Sequence, residues 1–289
     1  MATKKAGTSA KKTTRSKSQP VKTKVTTVKA VKTETTDKAK SANVAAASVS
    51  RFTKRNTALA SALIGEFIGT FLLVSVFLIV KGEPLYLGFA LAGIVLAVSA
   101  ISGAHVNPLV TVGAWVTRKI SHLRAVVYIA AQVLGAGAAY VALSSFIGGY
   151  EVQGAAGANA LAAAAGPSVY KLSALSEHAH WFVFLAELLG GAIFAFAFAG
   201  ARKLKTDTVA RAFTVGFGYF VALLIAGVAV SYVGANAAVN PAVAIAGSVI
   251  DVNKLDWFAV AAYIVAPLIG GVVGFAVRDV VDSSDKVEA

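Results

Sequence analysis

Between residues 57 and 277 the chain is written almost wholly in apolar residues, broken into six long runs. They cover 57–80, 85–102, 125–147, 181–201, 212–233 and 257–277, and their only charges are Glu66 and Glu187. Each run has 18 to 24 residues, and a helix needs about 20 apolar residues to cross a bilayer. The pattern predicts six transmembrane helices. Two further apolar stretches, 107–116 and 240–250, have 10 and 11 residues. As helices they reach about 15 Å, half of a hydrocarbon core of about 30 Å, so they are expected to enter the membrane and end inside it.

Charge adds direction to this pattern. The 289 residues are 57% hydrophobic and 14% charged, whereas soluble domains carry about 25% charged residues. The formal charge of +13 belongs to residues 1–55, which hold 15 of the 27 Lys and Arg and two acids. That segment is rich in Lys, Thr, Ala, Ser and Val without helical or strand period. It is expected to be disordered, because it cannot bury enough apolar surface to offset its ordering entropy. Of the 12 other basic residues, seven cluster at Arg118, Lys119 and Arg124, and at Arg202, Lys203, Lys205 and Arg211. The alternate loops carry one each: Lys81, Lys171 and Lys254. Positive charge stays inside, so both termini are expected in the cytoplasm, and the two short segments are expected to enter from opposite faces. The expected organisation is a basic cytoplasmic tail over 1–55, a membrane domain over 56–279 and a short cytoplasmic tail over 280–289. A plasma membrane of the bacterial inner-membrane kind is the expected location. With no cysteine, disulfides and thiolate metal sites are excluded.

The two halves echo each other. "GEFIGTFLLV" (65–74) resembles "AELLGGAIFA" (186–195), "VNPLVTVGA" (106–114) resembles "VNPAVAIAG" (239–247), and "YIAAQVLGAGAAY" (128–140) resembles "YIVAPLIGGVVGF" (263–275). Three spans per half give the halves opposite orientations, an inverted 3+3 repeat of the kind that builds central pathways. Each Asn-Pro can start a helix: Asn caps, and Pro fits the first position, where its missing N–H costs nothing. A lone Asn-Pro is a turn or kink. Two in equivalent places predict half-helices meeting end to end, with their positive dipole ends together. Such ends repel cations, including a hydrated proton, a barrier known from aquaporins. The carboxamides of Asn107 and Asn240 each offer N–H donors to a passing oxygen.

On these residues the chain resembles the aquaporin, or major intrinsic protein, family from about residue 59 to 277. "SGAHVNPLVT" (102–111) looks like the family's first signature loop, with Leu109 where Ala is usual after Asn107 and Pro108. Asn240, Pro241 and Ala242 match the second. The resemblance implies an all-α membrane protein of six transmembrane helices plus two re-entrant half-helices. It implies a pore through each subunit, a homotetramer, and passive passage of water or small uncharged solutes such as glycerol. It also implies that Glu66 and Glu187 accept hydrogen bonds from the re-entrant loops. A proton relay is the competing reading of carboxylates inside a membrane. His105, in the first loop, is read as a packing and backbone-bonding residue. The family's outer filter usually holds an Arg three residues after the second Asn; that position is Val243. Counting from the asparagines, its companions fall on Leu87, Val228 and Ala237. The usual Gly in the second loop is Asn236. An apolar filter of this kind admits water or small neutral solutes with weak discrimination, or dewets.

Other features suggest less. His178 and His180 lack a third ligand nearby and are read as surface residues rather than a metal site. No nucleophile–base set stands out, so neither an enzyme nor a cofactor is expected. The basic tail suits anionic lipid headgroups better than nucleic acid, since it offers no aromatic platform for bases. The apolar filter leaves open a second class of function, a membrane-organising or adhesion protein of the same fold with little conductance. A coupled secondary transporter suits the repeat but lacks further intramembrane charges.

Overall fold

The computed structural model describes residues 56–148, 170–172, 175–204, 206–247 and 256–284. The tail over 1–55 and the last residues, 285–289, lie outside them, as do Lys205 and Lys254. Among the described residues there is no strand. The helices are α1 (Asn56–Ile79), α2 (Pro84–Val98), α3 (Pro108–Val116), α4 (His122–Gly148), α5 (His180–Ala201), α6 (Thr208–Ser231), α7 (Pro241–Ala246) and α8 (Trp257–Ser284). Five of these, α1, α4, α5, α6 and α8, are long and apolar enough to cross a membrane.

The second span is shorter than its apolar run. A helix is expected to reach residue 102, yet α2 stops at Val98 after 15 residues, about 22 Å of helix. The chain then turns through residues 99–103, where Gly103 has φ 94°, a left-handed conformation that glycine adopts at no steric cost. The turn carries residues 104–107 back towards α1. The short helices begin at the two prolines. The first, α3, has the expected length; the second ends at Ala246, with the Gly247 N–H donating to Val243 O at 2.7 Å. Residues 248–250 lie outside the described residues.

One feature of α8 departs from a regular helix. Ala261–Val265 forms a π-turn. Pro267 has no N–H to give to Tyr263 four residues earlier, and a π-turn accommodates such a missing bond.

The internal repeat governs the packing. Glycines let paired helices touch backbone to backbone: a Cβ on Gly135 of α4 would strike the Phe67 carbonyl of α1, and one on Gly270 of α8 would strike the Leu188 carbonyl of α5. Each of those carbonyls follows a glutamate of the repeat. Around this frame α5 packs on α6 and α8, α2 on α6, α3 on α8 and α4 on α7. The outer faces expose Ile64, Leu72, Leu123, Leu134, Trp181 and Leu185. Apolar surface of that extent suits lipid tails or neighbouring subunits rather than water.

Candidate functional site

The site is built from the starts of α3 and α7. Asn107 and Asn240 are extended, with φ −157° and −160°. The Leu109 N–H donates to Asn107 Oδ1 at 3.0 Å, and the Ala242 N–H donates to Asn240 Oδ1 at 2.9 Å. Each asparagine therefore caps its own helix. Each also reaches across: Asn107 Nδ2 donates to Val239 O at 2.9 Å, and Asn240 Nδ2 donates to Val106 O at 3.4 Å. The two helix ends are locked reciprocally, with both asparagines buried. The crossing bond uses one of the two N–H groups on each carboxamide and leaves one for another acceptor.

The residue before each asparagine is strained. Val106 has φ 41° and Val239 has φ 46°, a region that β-branched side chains rarely enter. Two buried carboxylates hold these turns. His105 N and Val106 N donate to Glu66 Oε1 and Oε2 at 3.0 and 2.7 Å. Ala238 N and Val239 N donate to Glu187 Oε1 and Oε2 at 2.6 and 2.8 Å. Each carboxyl group thus takes up two successive backbone N–H groups that burial would otherwise strand. Tyrosines fix the approach to each turn: Tyr128 Oη donates to Ser102 O at 2.7 Å and Tyr263 Oη to Asn236 O at 2.8 Å.

The halves differ in what surrounds the carboxylate. Gln132 Nε2 donates to Glu66 Oε2 at 2.7 Å and to Thr111 Oγ1 at 2.9 Å, and His105 Nδ1 lies 3.2 Å from the same hydroxyl. In the second half the matching positions are Pro267, Ala244 and Ala238, so Glu187 is held by backbone alone. Gln132, Thr111, Tyr219 (Oη to Ala238 O, 3.0 Å) and Arg211 (Nη2 to Gly103 O, 2.9 Å) are members of the site that sequence reasoning missed. The repeat did flag the tyrosine spans, and aligning Gln132 with Pro267 would have exposed the asymmetry.

Two cavities flank the locked pair along the chain. One, of about 330 Å³, is bordered by Lys81, Tyr170, Val228, Asn236 and Ala237. The other, of about 250 Å³, is bordered by Ser102, His105, Arg124, Arg202 and Arg211. The loop from Asn236 leads from the first cavity to Asn240, and the loop from Ser102 leads from the second to Asn107. Of the four filter candidates, Val228 and Ala237 share the first cavity, Val228 being 53% exposed. Leu87 and Val243 are fully buried in the core and line neither. Leu109, Pro108, Pro241 and Ala242 are buried in the half-helices. Burial, and then the charge of Glu83, pushes the Tyr170 hydroxyl up to about 12, so it borders the first cavity uncharged at neutral pH. His180 stacks on Phe258 with ring centroids 4.2 Å apart, and His178 lies in the short turn Glu177–Ala179. Among the described residues no cluster of His, Cys, Asp or Glu has metal-ligating geometry.

Comparison with known proteins places this arrangement. A family model described as major intrinsic protein matches residues 53–276. Glycerol uptake facilitator protein-like 6 of Lactiplantibacillus plantarum is 41% identical over 93 residues, 29% of this chain and 43% of that protein. Probable aquaporin PIP2-1 of Oryza sativa subsp. japonica is 30% identical over 186 residues, 62% of this chain and 58% of that protein. The chain thus spans about half the length of these curated relatives. Among solved structures, the aquaglyceroporin of Plasmodium falciparum superposes with a TM-score of 0.58 at 22% identity, covering 80% of this chain and 100% of that one. That likeness shows the fold.

Proposed function

Because the chain belongs to the major intrinsic protein family, we propose that it is a passive channel for water or small uncharged solutes such as glycerol. The reciprocal lock between Asn107 and Asn240 carries this reading. It brings two helix N-termini together and leaves one amide N–H of each asparagine for a passing oxygen, and short loops join it to two cavities. The dipole ends would repel cations and turn neighbouring waters, which interrupts a proton wire. Val228 and Ala237, which border the first cavity, supply no charge and no side-chain donor, so discrimination between water and glycerol there rests on width. In this reading the subunits form a homotetramer in the plasma membrane with both termini cytoplasmic, and the tail over 1–55 rests on anionic headgroups.

Osmotic shrinkage of proteoliposomes tests the proposal. Water or glycerol is expected to pass faster than through protein-free vesicles; equal rates for both solutes would overturn it. Val228→Arg, at the first cavity, is expected to change the ratio of water to glycerol permeability by narrowing the passage and adding a cation. An unchanged ratio would remove Val228 from the filter.

A further inference from the structure

We propose that the cavity at the Arg124–Arg202–Arg211 end binds a phosphate dianion, and that its occupancy closes the conduit. The closing step rests on the channel reading; the binding step does not.

Sequence alone gives these basic residues one meaning, membrane orientation. The structure brings them from three separate segments to one cavity. Lys119, Arg124, Arg202 and Arg211 border it, and among the described residues no carboxylate does. Their existing partners leave charge uncompensated. Lys119 Nζ pairs with Asp279 at 2.9 Å. Arg211 gives one N–H to the Gly103 carbonyl, which is neutral. Arg124 lies over the Tyr128 ring at 5.4 Å, and its buried Nε has no partner. Burial, and then the charge of Arg211, holds Arg202 below the usual guanidinium range, with Asp279 acting the other way. One carboxylate, Asp279, therefore serves Lys119 directly and Arg202 at longer range. Partly buried guanidinium groups held close together repel unless an anion joins them.

Guanidinium forks match the oxygens of phosphate two at a time, better than they match a spherical anion. The volume, about 250 Å³, is below the ~300 Å³ at which sites for larger organic ligands begin. It suits one phosphate group, whether free, on a soluble ester or on a lipid headgroup. The other cavity supplies an internal contrast: among the described residues it is bordered by Lys81 and no arginine. His105 borders the phosphate cavity two residues before Asn107, so an anion there would stand in the path to the locked pair.

The test uses the full chain in detergent, titrated with inorganic phosphate by calorimetry. Saturable binding is expected, weakened at least about tenfold by Arg202→Gln, the loss of about one charge-assisted hydrogen bond. Lys203→Gln makes the same charge change one residue away, at a lysine that pairs with Asp282 and does not border the cavity. It should leave binding unchanged. Absence of saturable binding, or equal losses in both variants, would overturn the site. Arg124→Gln provides a second reading should Arg202→Gln fail to fold. In phosphatidylcholine vesicles, phosphate on both sides should slow water flow through the natural protein and not through Arg202→Gln. Slowing without soluble phosphate, in vesicles that contain a phosphoinositide, would assign the source to lipid. Binding with undiminished flow would overturn closure alone. A chain that conducts nothing even without phosphate would fail the channel reading, and the calorimetry would still decide the site.

Discussion

Replacing Glu187 with Gln removes one acceptor from a place that needs two. In the structure both carboxylate oxygens accept successive backbone N–H groups, Ala238 at 2.6 Å and Val239 at 2.8 Å. A glutamine amide offers one oxygen; its NH₂ must face the other N–H, donor against donor. The lost charge-assisted bond is worth about 1.5–3 kcal/mol, and a stranded buried N–H costs about 1–3 kcal/mol. These overlap, so about 3 kcal/mol is expected, or roughly 6–12 °C in the unfolding midpoint for a chain of this size. The assay is thermal unfolding by circular dichroism in one detergent at one scan rate, since unfolding of such proteins is commonly irreversible. Glu66→Gln is expected to lose about 1 kcal/mol less. Gln132 has an unpaired Oε1 and can turn it towards the new amide, whereas the second half has Pro267 in that place. A midpoint for Glu187→Gln within roughly 2 °C of the natural protein would refute the two-acceptor account and mean that Glu187 already carries a proton. A larger loss at Glu66 than at Glu187 would refute the asymmetry.

Two further predictions concern the turns themselves. Gly69→Ala would drive a Cβ into Val106 Cγ1, overpacking worth about 1–3 kcal/mol; stability and permeability should fall, and Val106→Ala in the same chain should restore both. Tyr263→Phe removes the bond to Asn236 O, worth about 1 kcal/mol. Hydrogen exchange of the amides at 237–240 should quicken, while those of the first loop, anchored by Tyr128, should not change.

How far the sequence foretold this structure depends on the range of the forces involved. Apolar runs are local, so the spans and both half-helix starts were legible, as was the partnership of Glu66 and Glu187 with the loops through family resemblance. The end of α2 was not. Residues 99–102 carry no charge and no Pro or Gly, and the stop is decided by Gly103 and by Tyr128, which takes the Ser102 carbonyl from 26 positions away. The crossing bonds join residues 132 and 134 positions apart, and no local pattern encodes such a pair. Counting from the asparagines named four filter candidates. It could not separate Val228, open to a cavity, from Leu87 and Val243, which packing encloses.

The repeat explains why the two glutamates are not equivalent despite their equal spacing from Gly69 and Gly190. Symmetry supplies the frame: a carboxylate, a strained valine, an asparagine and a clamping tyrosine in each half. The side chains around that frame then diverge. On the first side Gln132, Thr111 and His105 form a hydrogen-bonded set, so an acceptor lost there has neighbours that can turn to replace it. On the second side Pro267, Ala244 and Ala238 offer no side-chain polar atoms. The missing N–H of Pro267 accompanies a π-turn that includes Tyr263, whose hydroxyl clamps Asn236. Tyr219 and Tyr263 hold carbonyls of the second turn, but its N–H groups at 238 and 239 are held by a single carboxylate with no side-chain neighbour to replace it. The least replaceable side chain in the lock is consequently Glu187, and the half of the site that tolerates change is the polar one.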